Sequence, residues 1–269
     1  MKTLRLLWAV LLPASLLLSC DHRLDDPNPL GAFRLKSVNY NARTVGNNTY
    51  PATTYTLTYD ATGRFSGFTT VNDTYRAVRY DSDRVLQFSK VVNDQVPDFK
   101  PFVYGRYEYD AAGRLTTNRV GFDSFSPYGL FIRLLGVEFT YSGSSLLPVS
   151  RLDGSTTVPD ETYVFNGENA VAINGTTYAY DDKPNPYRGL VGFNLQALYY
   201  GNSLVSSANP FNTAPFDNSA YFSDTQVKLF NRNNITNNTK QITYNADGLV
   251  MRIEYTNGNV EEFTYERKP

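Results

Sequence analysis

From Phe33 onward, short runs of the chain alternate large apolar residues with Thr, Arg or Glu. Tyr55, Leu57 and Tyr59 fall on one face of such a run, as do Tyr107 with Tyr109, and Val137 with Phe139 and Tyr141. The same period returns at Tyr163 with Phe165, Tyr178 with Tyr180, and Phe263 with Tyr265. A period of two, interrupted by turn residues, predicts half-buried antiparallel strands joined as hairpins. The predicted fold is all-β: an antiparallel meander of hairpins forming a large curled sheet or a barrel-like domain.

Three of the interruptions share one grammar. Tyr59-Asp60-Ala61-Thr62-Gly63-Arg64-Phe65 and Tyr109-Asp110-Ala111-Ala112-Gly113-Arg114-Leu115 are near copies, and Tyr244-Asn245-Ala246-Asp247-Gly248-Leu249-Val250 keeps the turn without the Arg. Asp60, Asp110 and Asn245 suit the first position of a type I turn, because their side chains accept local backbone N–H groups. Gly63, Gly113 and Gly248 supply the left-handed residue that completes a bulged three-residue loop. That loop sets Tyr59 against Phe65 and Tyr109 against Leu115, with Arg114 facing Asp110. Tyr80-Asp81-Ser82-Asp83-Arg84-Val85 reads as a decayed copy without Gly.

Other turns are predicted at Asn166-Gly167, at Asn174-Gly175 and near Asn257. For the last, a two-residue turn at Asn257-Gly258 opposes Ile253 to Glu262. A three-residue loop over Asn257–Asn259 instead opposes Ile253 to Phe263 and Met251 to Tyr265, and is preferred because apolar partners then share a face. Two stretches break the rhythm. Pro184 and Pro186 end the strand that holds Tyr180. Beyond them, residues 190–204 carry Leu195, Leu198 and Tyr199 at helical spacing, the one short helix candidate, and residues 206–220 read as a long loop.

The N-terminus changes the picture from a fold to a location. Lys2 and Arg5 precede an apolar run from Leu6 to Leu18 that is broken by Pro13 and Ser15. Thirteen helical residues span roughly 20 Å, short of a ~30 Å bilayer core, so residues 1–19 read as a secretory signal peptide rather than a membrane span. Leu17-Leu18-Ser19-Cys20 then resembles the bacterial lipobox, in which the cysteine is lipidated and the preceding bond is cut. Cys20 is the chain's single cysteine, which leaves it no disulfide partner in an exported protein. An acyl chain contributes ~0.8 kcal/mol of membrane affinity per methylene, so two or more anchor durably. Residues 20–32 read as a lipidated flexible tether, and residues 33–269 as a single β domain.

Composition agrees with that assignment. The chain has 21 Tyr and 17 Phe but two Met, a β-rich balance. Its formal charge of −1 becomes −3 once Lys2 and Arg5 leave with the signal. Such a surface carries no electrostatic footprint for nucleic acid.

The Tyr-Asp-x-x-Gly-Arg-Leu/Phe units resemble the YD repeats of RHS-type proteins, which are secreted β-hairpin arrays. The succession YAYDDKPNPY, LFNRNNITNNT and ITYNADGL is similar to a family of YD-repeat-like envelope lipoproteins common in Bacteroidota. The resemblance spans residues 33–269. It implies a large antiparallel sheet in the cell envelope, lipid-anchored to the outer membrane and periplasmic or surface-facing, with no known chemistry attached. An integral outer-membrane barrel is disfavoured by the last segment, VEEFTYERKP, whose charges and final proline do not suit a lipid-facing strand.

A catalytic vocabulary is missing. The single histidine, His22, lies in the tether, which removes histidine-based triads and zinc sites from the folded domain. There is no nucleotide-binding glycine loop and no nucleophile elbow. Asp181 and Asp182 with Asn185 could offer oxygen ligands to Ca²⁺, though a solvated, proline-braced turn explains them more simply. The Asn-x-Thr triplets at Asn47, Asn72, Asn174, Asn234 and Asn237 are chance products of an Asn- and Thr-rich sequence. No catalytic, cofactor or metal residue is therefore assigned. Two functions are carried forward: a lipid-anchored envelope protein whose non-catalytic domain binds an envelope ligand or protein partner or is structural, and a carboxylate-dependent extracytoplasmic glycan hydrolase.

Overall fold

The computed structural model describes residues 30–45, 48–71, 74–81, 84–91, 103–123, 131–143, 145–152, 155–156, 163–173, 175–190, 230–236 and 240–269. Cys20, the signal segment, most of the tether and the helix candidate beyond Leu190 lie outside them.

Among the described residues the alternating pattern becomes strands, with Tyr178 falling between two of them. The chain opens with β1 (Phe33–Tyr40), a small hairpin of β2 (Arg43–Val45) and β3 (Asn48–Tyr50), and β4 (Thr53–Tyr59). It continues through β5 (Phe65–Thr69), β6 (Thr74–Asp81), β7 (Arg84–Val91), β8 (Val103–Tyr109) and β9 (Leu115–Asp123). Next come β10 (Phe131–Ser142), β11 (Ser145–Leu152), β12 (Ser155–Thr156), β13 (Tyr163–Asn166), β14 (Asn169–Ile173) and β15 (Thr176–Thr177). The last elements are β16 (Ala179–Pro184), β17 (Asn233–Thr236), β18 (Lys240–Tyr244), β19 (Val250–Tyr255) and β20 (Val260–Arg267).

One antiparallel sheet has the order β15-β14-β13-β11-β10-β9-β8-β7-β6-β5-β4-β1-β20-β19-β18, with β12 attached to β11. It is a meander with a single departure: the C-terminal strand β20 lies beside β1. Among the described residues the ladder does not close, since β15 and β18 end it, and β16 with β17 forms a separate ribbon.

The inner face is aromatic. Tyr55 lies between Tyr40 and Phe68, with ring centroids 5.6 and 5.7 Å away, and Phe88 stacks on both Phe65 and Phe68 at 5.9 and 5.7 Å. Such pairs add about 0.5–1.5 kcal/mol each beyond the area they bury. The outer face is polar. Across β4, β1, β20 and β19 a ladder runs from Thr54 to Asn39, from Asn39 to Glu262, and from Glu262 to Arg252, at 3.0, 3.3 and 2.7 Å.

The two Tyr-Asp-x-x-Gly-Arg turns are alike in detail. Asp110 Oδ1 accepts the amides of Ala112 and Arg114 at 2.9 Å each, and Oδ2 accepts Arg114 Nε at 2.7 Å. The Gly113 amide donates to the Asp110 carbonyl at 2.9 Å, with φ of 82° at the glycine. Asp60 does the same for Thr62 and Arg64, at 2.9 and 3.0 Å to the amides. Asn245 holds the amides of Asp247 and Leu249 at 2.9 Å, and Gly248 has φ of 77°. Tyr59 then faces Phe65, Tyr109 faces Leu115 and Tyr244 faces Val250, each after a bulge. The degenerate copy pairs Asp81 with Arg84 across a two-residue link.

Each tyrosine also reaches beyond its own hairpin. Tyr141 donates its hydroxyl to the Leu115 carbonyl at 2.7 Å while Arg114 Cζ sits 4.4 Å from its ring centroid. Tyr109 repeats this on Val85 and Arg84 (2.9 and 5.1 Å), Tyr80 on Phe65 and Arg64 (3.2 and 4.3 Å), and Tyr59 on Leu35 and Arg34 (2.6 and 4.3 Å). The arginine is thus clamped between its own aspartate and the next hairpin's tyrosine. For the first hairpin the two chain ends supply the parts. Leu35 opposes Tyr265, and Arg34 Nε donates to Glu266 at 2.6 Å, so that Tyr265-Glu266 and Arg34-Leu35 take the places of Tyr109-Asp110 and Arg114-Leu115.

The turn after β19 corrects a register. The loop is Thr256–Gly258, not Asn257–Asn259: the Tyr255 amide donates to Asn259 and the Gly258 amide to Tyr255, both at 2.9 Å. Ile253 consequently opposes Glu261 rather than Phe263, and Met251 is left exposed rather than facing Tyr265. Apolar matching fails here because the inner face accepts a glutamate.

Two outcomes test the turns. Gly113→Val should lower unfolding free energy by about 1–3 kcal/mol in denaturant titrations, since a β-branched residue resists positive φ. Burial opposes ionisation of Asp60, but the bonds from Thr62 and Arg64 prevail and hold its carboxyl at about 2; Asp110 shifts down likewise, burial being outweighed by Arg114 and Ala112. A carboxyl more acidic in the folded state than the ~3.9 of the unfolded chain stabilises fully above pH ~4 and loses that contribution as pH falls toward 2. The stability gap between the wild type and an Asp60→Asn/Asp110→Asn double variant should therefore shrink between pH 4 and 2 in thermal melts.

Candidate functional site

The ribbon of β16 and β17 is where chemistry concentrates. The strand that begins as β15 on β14 changes partner at Tyr178, whose amide still donates to Val171, and continues as β16 against β17. Pro184 ends β16, and the chain turns inward through Asn185-Pro186-Tyr187-Arg188. Asn185 fixes that turn: its amide donates to the Arg232 carbonyl, its Nδ2 to the Asn231 carbonyl, both at 2.8 Å, and its Oδ1 accepts the Tyr187 amide at 3.0 Å.

This strap joins distant parts of the curled sheet. Tyr187 packs on Phe263 of β20 at 5.5 Å, whereas Phe230 packs on Phe139 of β10 and Phe165 of β13 at 5.5 and 6.5 Å. Towards β14, Asn169 and Asn233 bond reciprocally at 2.8 and 2.9 Å, and Asn231 Oδ1 accepts the Ala170 amide at 2.9 Å. Glu168, in the turn before β14, accepts Arg188 Nη2 at 2.8 Å and also Arg232 Nη1. Burial opposes ionisation of Glu168, but the two guanidiniums hold its carboxyl below the usual range. Towards β18, Asp181 accepts the Asn234 amide at 3.1 Å and the Tyr244 hydroxyl.

A buried carboxylate lies at the strap's inner end. Glu261 is 2% exposed. Its Oε2 accepts the Tyr187 hydroxyl at 2.6 Å, its Oε1 accepts Tyr255 at 2.9 Å, and Tyr40 Oη lies 2.8 Å from Tyr187 Oη. Burial drives the Tyr187 hydroxyl far above the ordinary tyrosine range, and Glu261 adds to the shift. Tyr187 therefore stays protonated and serves as a fixed donor. Two tyrosine hydroxyls, Tyr187 and Tyr255, thus meet one acid, with Tyr40 behind Tyr187, an arrangement that satisfies a glutamate's oxygens inside an aromatic core.

One space among the described residues here is small. A cleft between β17 and the pair β18–β19, lined by Asn185, Tyr187, Asn234, Lys240, Ile242 and Ile253, encloses about 10 Å³. That is room for one water, far below the ~300 Å³ of a small-ligand pocket.

The residues singled out in the sequence fall into two sets. Asp60, Gly63, Asp110, Gly113, Asn245 and Gly248 sit in turns at one rim of the sheet, where Lys183 Cδ lies 3.3 Å from the position a Cβ on Gly248 would take. Asp181 has its oxygens filled by N–H and O–H donors, Asp182 is exposed beside Lys183 Nζ at 3.1 Å, and Asn185 points inward. They do not converge as cation ligands, and no cluster of three or more metal-binding side chains occurs among the described residues. Asn234, part of an Asn-x-Thr triplet, is buried and bonded to Asp181. The sequence marks no role for Glu168, and Glu261 figures in it only as one of the charges of the last segment, although it is buried. Their partners lie up to 74 positions away, and no local pattern marks them.

No family model matches the chain, and no curated protein matches it. Among solved structures it is similar to a porin-like protein from Bacteroides uniformis, at 11% identity over 86% of this chain and 96% of that one, with a TM-score of 0.36.

Removing the Tyr187 hydroxyl should expose the dependence of the strap on Glu261. Tyr187→Phe should cost about 1–3 kcal/mol of unfolding free energy, because a buried carboxylate loses a donor. Glu262→Gln, on the exposed outer face one residue away, should change stability by less than about 0.5 kcal/mol in the same titration.

Proposed function

We propose that this protein is a lipid-anchored component of the cell envelope, held at the outer membrane through Cys20, whose β-domain binds an envelope ligand or protein partner or acts as a scaffold. The observation that carries the proposal is Cys20 itself, placed directly after an apolar export segment and about ten residues before Leu30, the first described residue. The resemblance of the Tyr-Asp-x-x-Gly-Arg units to the YD repeats of secreted RHS-type proteins supports the same compartment.

The outer wall supports a tethered domain rather than a membrane-embedded one. A transmembrane barrel presents an apolar band outward. Here Thr54, Thr56, Glu254, Glu262 and Thr264 are exposed on that face. The interior supports a binding or structural role over hydrolysis. Glu168, Asp181 and Glu261 are each bonded to structural donors, and the nearby cleft lined by Tyr187 and Asn234 has room for no more than one water. A glycosidase needs two carboxyl groups facing across a substrate, and these acids lend that alternative no support.

Cys20→Ser should abolish incorporation of labelled fatty acid and move the protein from the membrane to the soluble fraction of lysed cells. Membrane association that survives the substitution would overturn the anchor.

A further inference from the structure

We infer that the rim of the sheet bearing the Asp60, Asp110 and Asn245 turns is the surface that lies against the lipid headgroups, with the Thr256–Gly258 rim pointing away. This rests on the lipid-anchor reading and adds an orientation to it.

Strand directions place those features at one end. β4 and β8 run into the turns at Asp60 and Asp110, β18 runs into the turn at Asn245, and β1 starts beside them, with Phe33 opposite Arg267 at the end of β20. The Thr256–Gly258 turn closes the other end of β19 and β20, next to Asn41, whose Nδ2 donates to the Gly258 carbonyl at 3.0 Å.

The entry of the chain is pinned to the first rim. Leu30 is buried, the Phe33 amide donates to Leu30 at 3.2 Å, and the Lys268 amide donates to Ala32 at 2.9 Å. The Arg34–Glu266 pair at 2.6 Å and the Tyr59 hydroxyl on Leu35 lock the next two residues. Cys20 therefore leads to a fixed point on this rim, not to a sliding one.

Chain entropy then favours one rim over the other. Ten residues from Cys20 to Leu30 extend at most ~35 Å. The eight residues of β1 set the wall height at about 26 Å. With the far rim against the membrane, the connection would have to run about three-quarters extended down the outside of the wall, against chain entropy. With the turn rim against the membrane it needs no extension. The clamped arginines do not oppose that approach. Arg34, Arg64, Arg84 and Arg114 are each paired, with Glu266, Asp60, Asp81 and Asp110, so these pairs present the headgroups no net charge of either sign.

The test uses the full lipidated protein, in which Cys20 is acylated and carries no free thiol. Ala112→Cys and Ala61→Cys place a fluorophore on the turn rim, and Thr256→Cys places it on the other; all three positions are exposed. Each protein is reconstituted on phosphatidylethanolamine/phosphatidylglycerol vesicles containing a headgroup-labelled acceptor lipid, and energy transfer is measured after flotation. Transfer from positions 112 and 61 should exceed that from position 256 by about twofold or more, given rims ~26 Å apart. Proteins that float but show equal transfer, or more from position 256, overturn the orientation alone. Proteins that fail to float overturn the anchor and the orientation with it.

Discussion

The fold depends on a clamp: an arginine side chain held in plane by the aspartate of its own turn and covered by the tyrosine of the next hairpin. An isolated two-stranded hairpin is marginal in water, and a turn, however well formed, stabilises its own two strands and no others. The tyrosine changes this. Tyr141 bonds to the Leu115 carbonyl and covers Arg114, so the strand that starts after one turn is tied to the strand that enters the next. A cation over a ring contributes about 0.5–2 kcal/mol depending on exposure, and the clamp recurs at Tyr59, Tyr80, Tyr109 and Tyr141. Register is fixed as well, because a one-residue slip would send the tyrosine to the other face.

A ladder built this way still has two ends, and the strap holds them. Its contacts toward β14 are amide pairs and a two-arginine carboxylate, while its contacts toward β18 and β20 are phenolic hydroxyls on Asp181 and Glu261. Side-chain bonds of this kind need no strand-to-strand spacing. They can therefore hold together edges that backbone ladders leave apart. Glu261 is tolerated on an aromatic face because Tyr187 and Tyr255 supply hydroxyl donors where the core would otherwise offer none.

What was legible in the sequence is what is local. Asp110 and Gly113 determine their turn from within five residues, and the alternation of Tyr55 with Leu57 reports a buried face directly. All-β character, antiparallel pairing and the hairpin order follow from such signals. The Thr256–Gly258 loop shows the limit. Sliding the register to match Ile253 with Phe263 assumed that a glutamate belongs outside, yet Glu261 faces inward because Tyr187, 74 positions away, donates to it. The arginine clamp was half legible. Its aspartate lies four residues before it, but its tyrosine belongs to another strand, 27 positions on in the case of Arg114 and Tyr141. Of the strap, the strand that ends at Pro184 was legible, but its attachments were not, since Glu168 and Asn169 carry no mark that points to Arg232 and Asn233.

The pairing of the chain ends follows from the same clamp. Elsewhere the tyrosine–acid half and the arginine–leucine half of a unit are joined by a short turn. At Tyr265-Glu266 and Arg34-Leu35 they come from opposite termini, 232 positions apart for the Arg34–Glu266 contact. The unit is closed by hydrogen bonds alone, with no covalent turn to lower the entropy of bringing its halves together. β1 gains its second neighbour only when β20 is in place, so Arg34 cannot be clamped, nor Leu35 covered, until the last strand has docked. The pairing of β1 with β20 is therefore the most non-local step of the described sheet, and such contacts form slowly because loop entropy is lost before they can repay it. Tyr59 sits at that junction. Its hydroxyl on Leu35 and its ring under Arg34 carry the ladder across the break between the termini, and so make the ends of the chain part of the same cooperative unit as its middle.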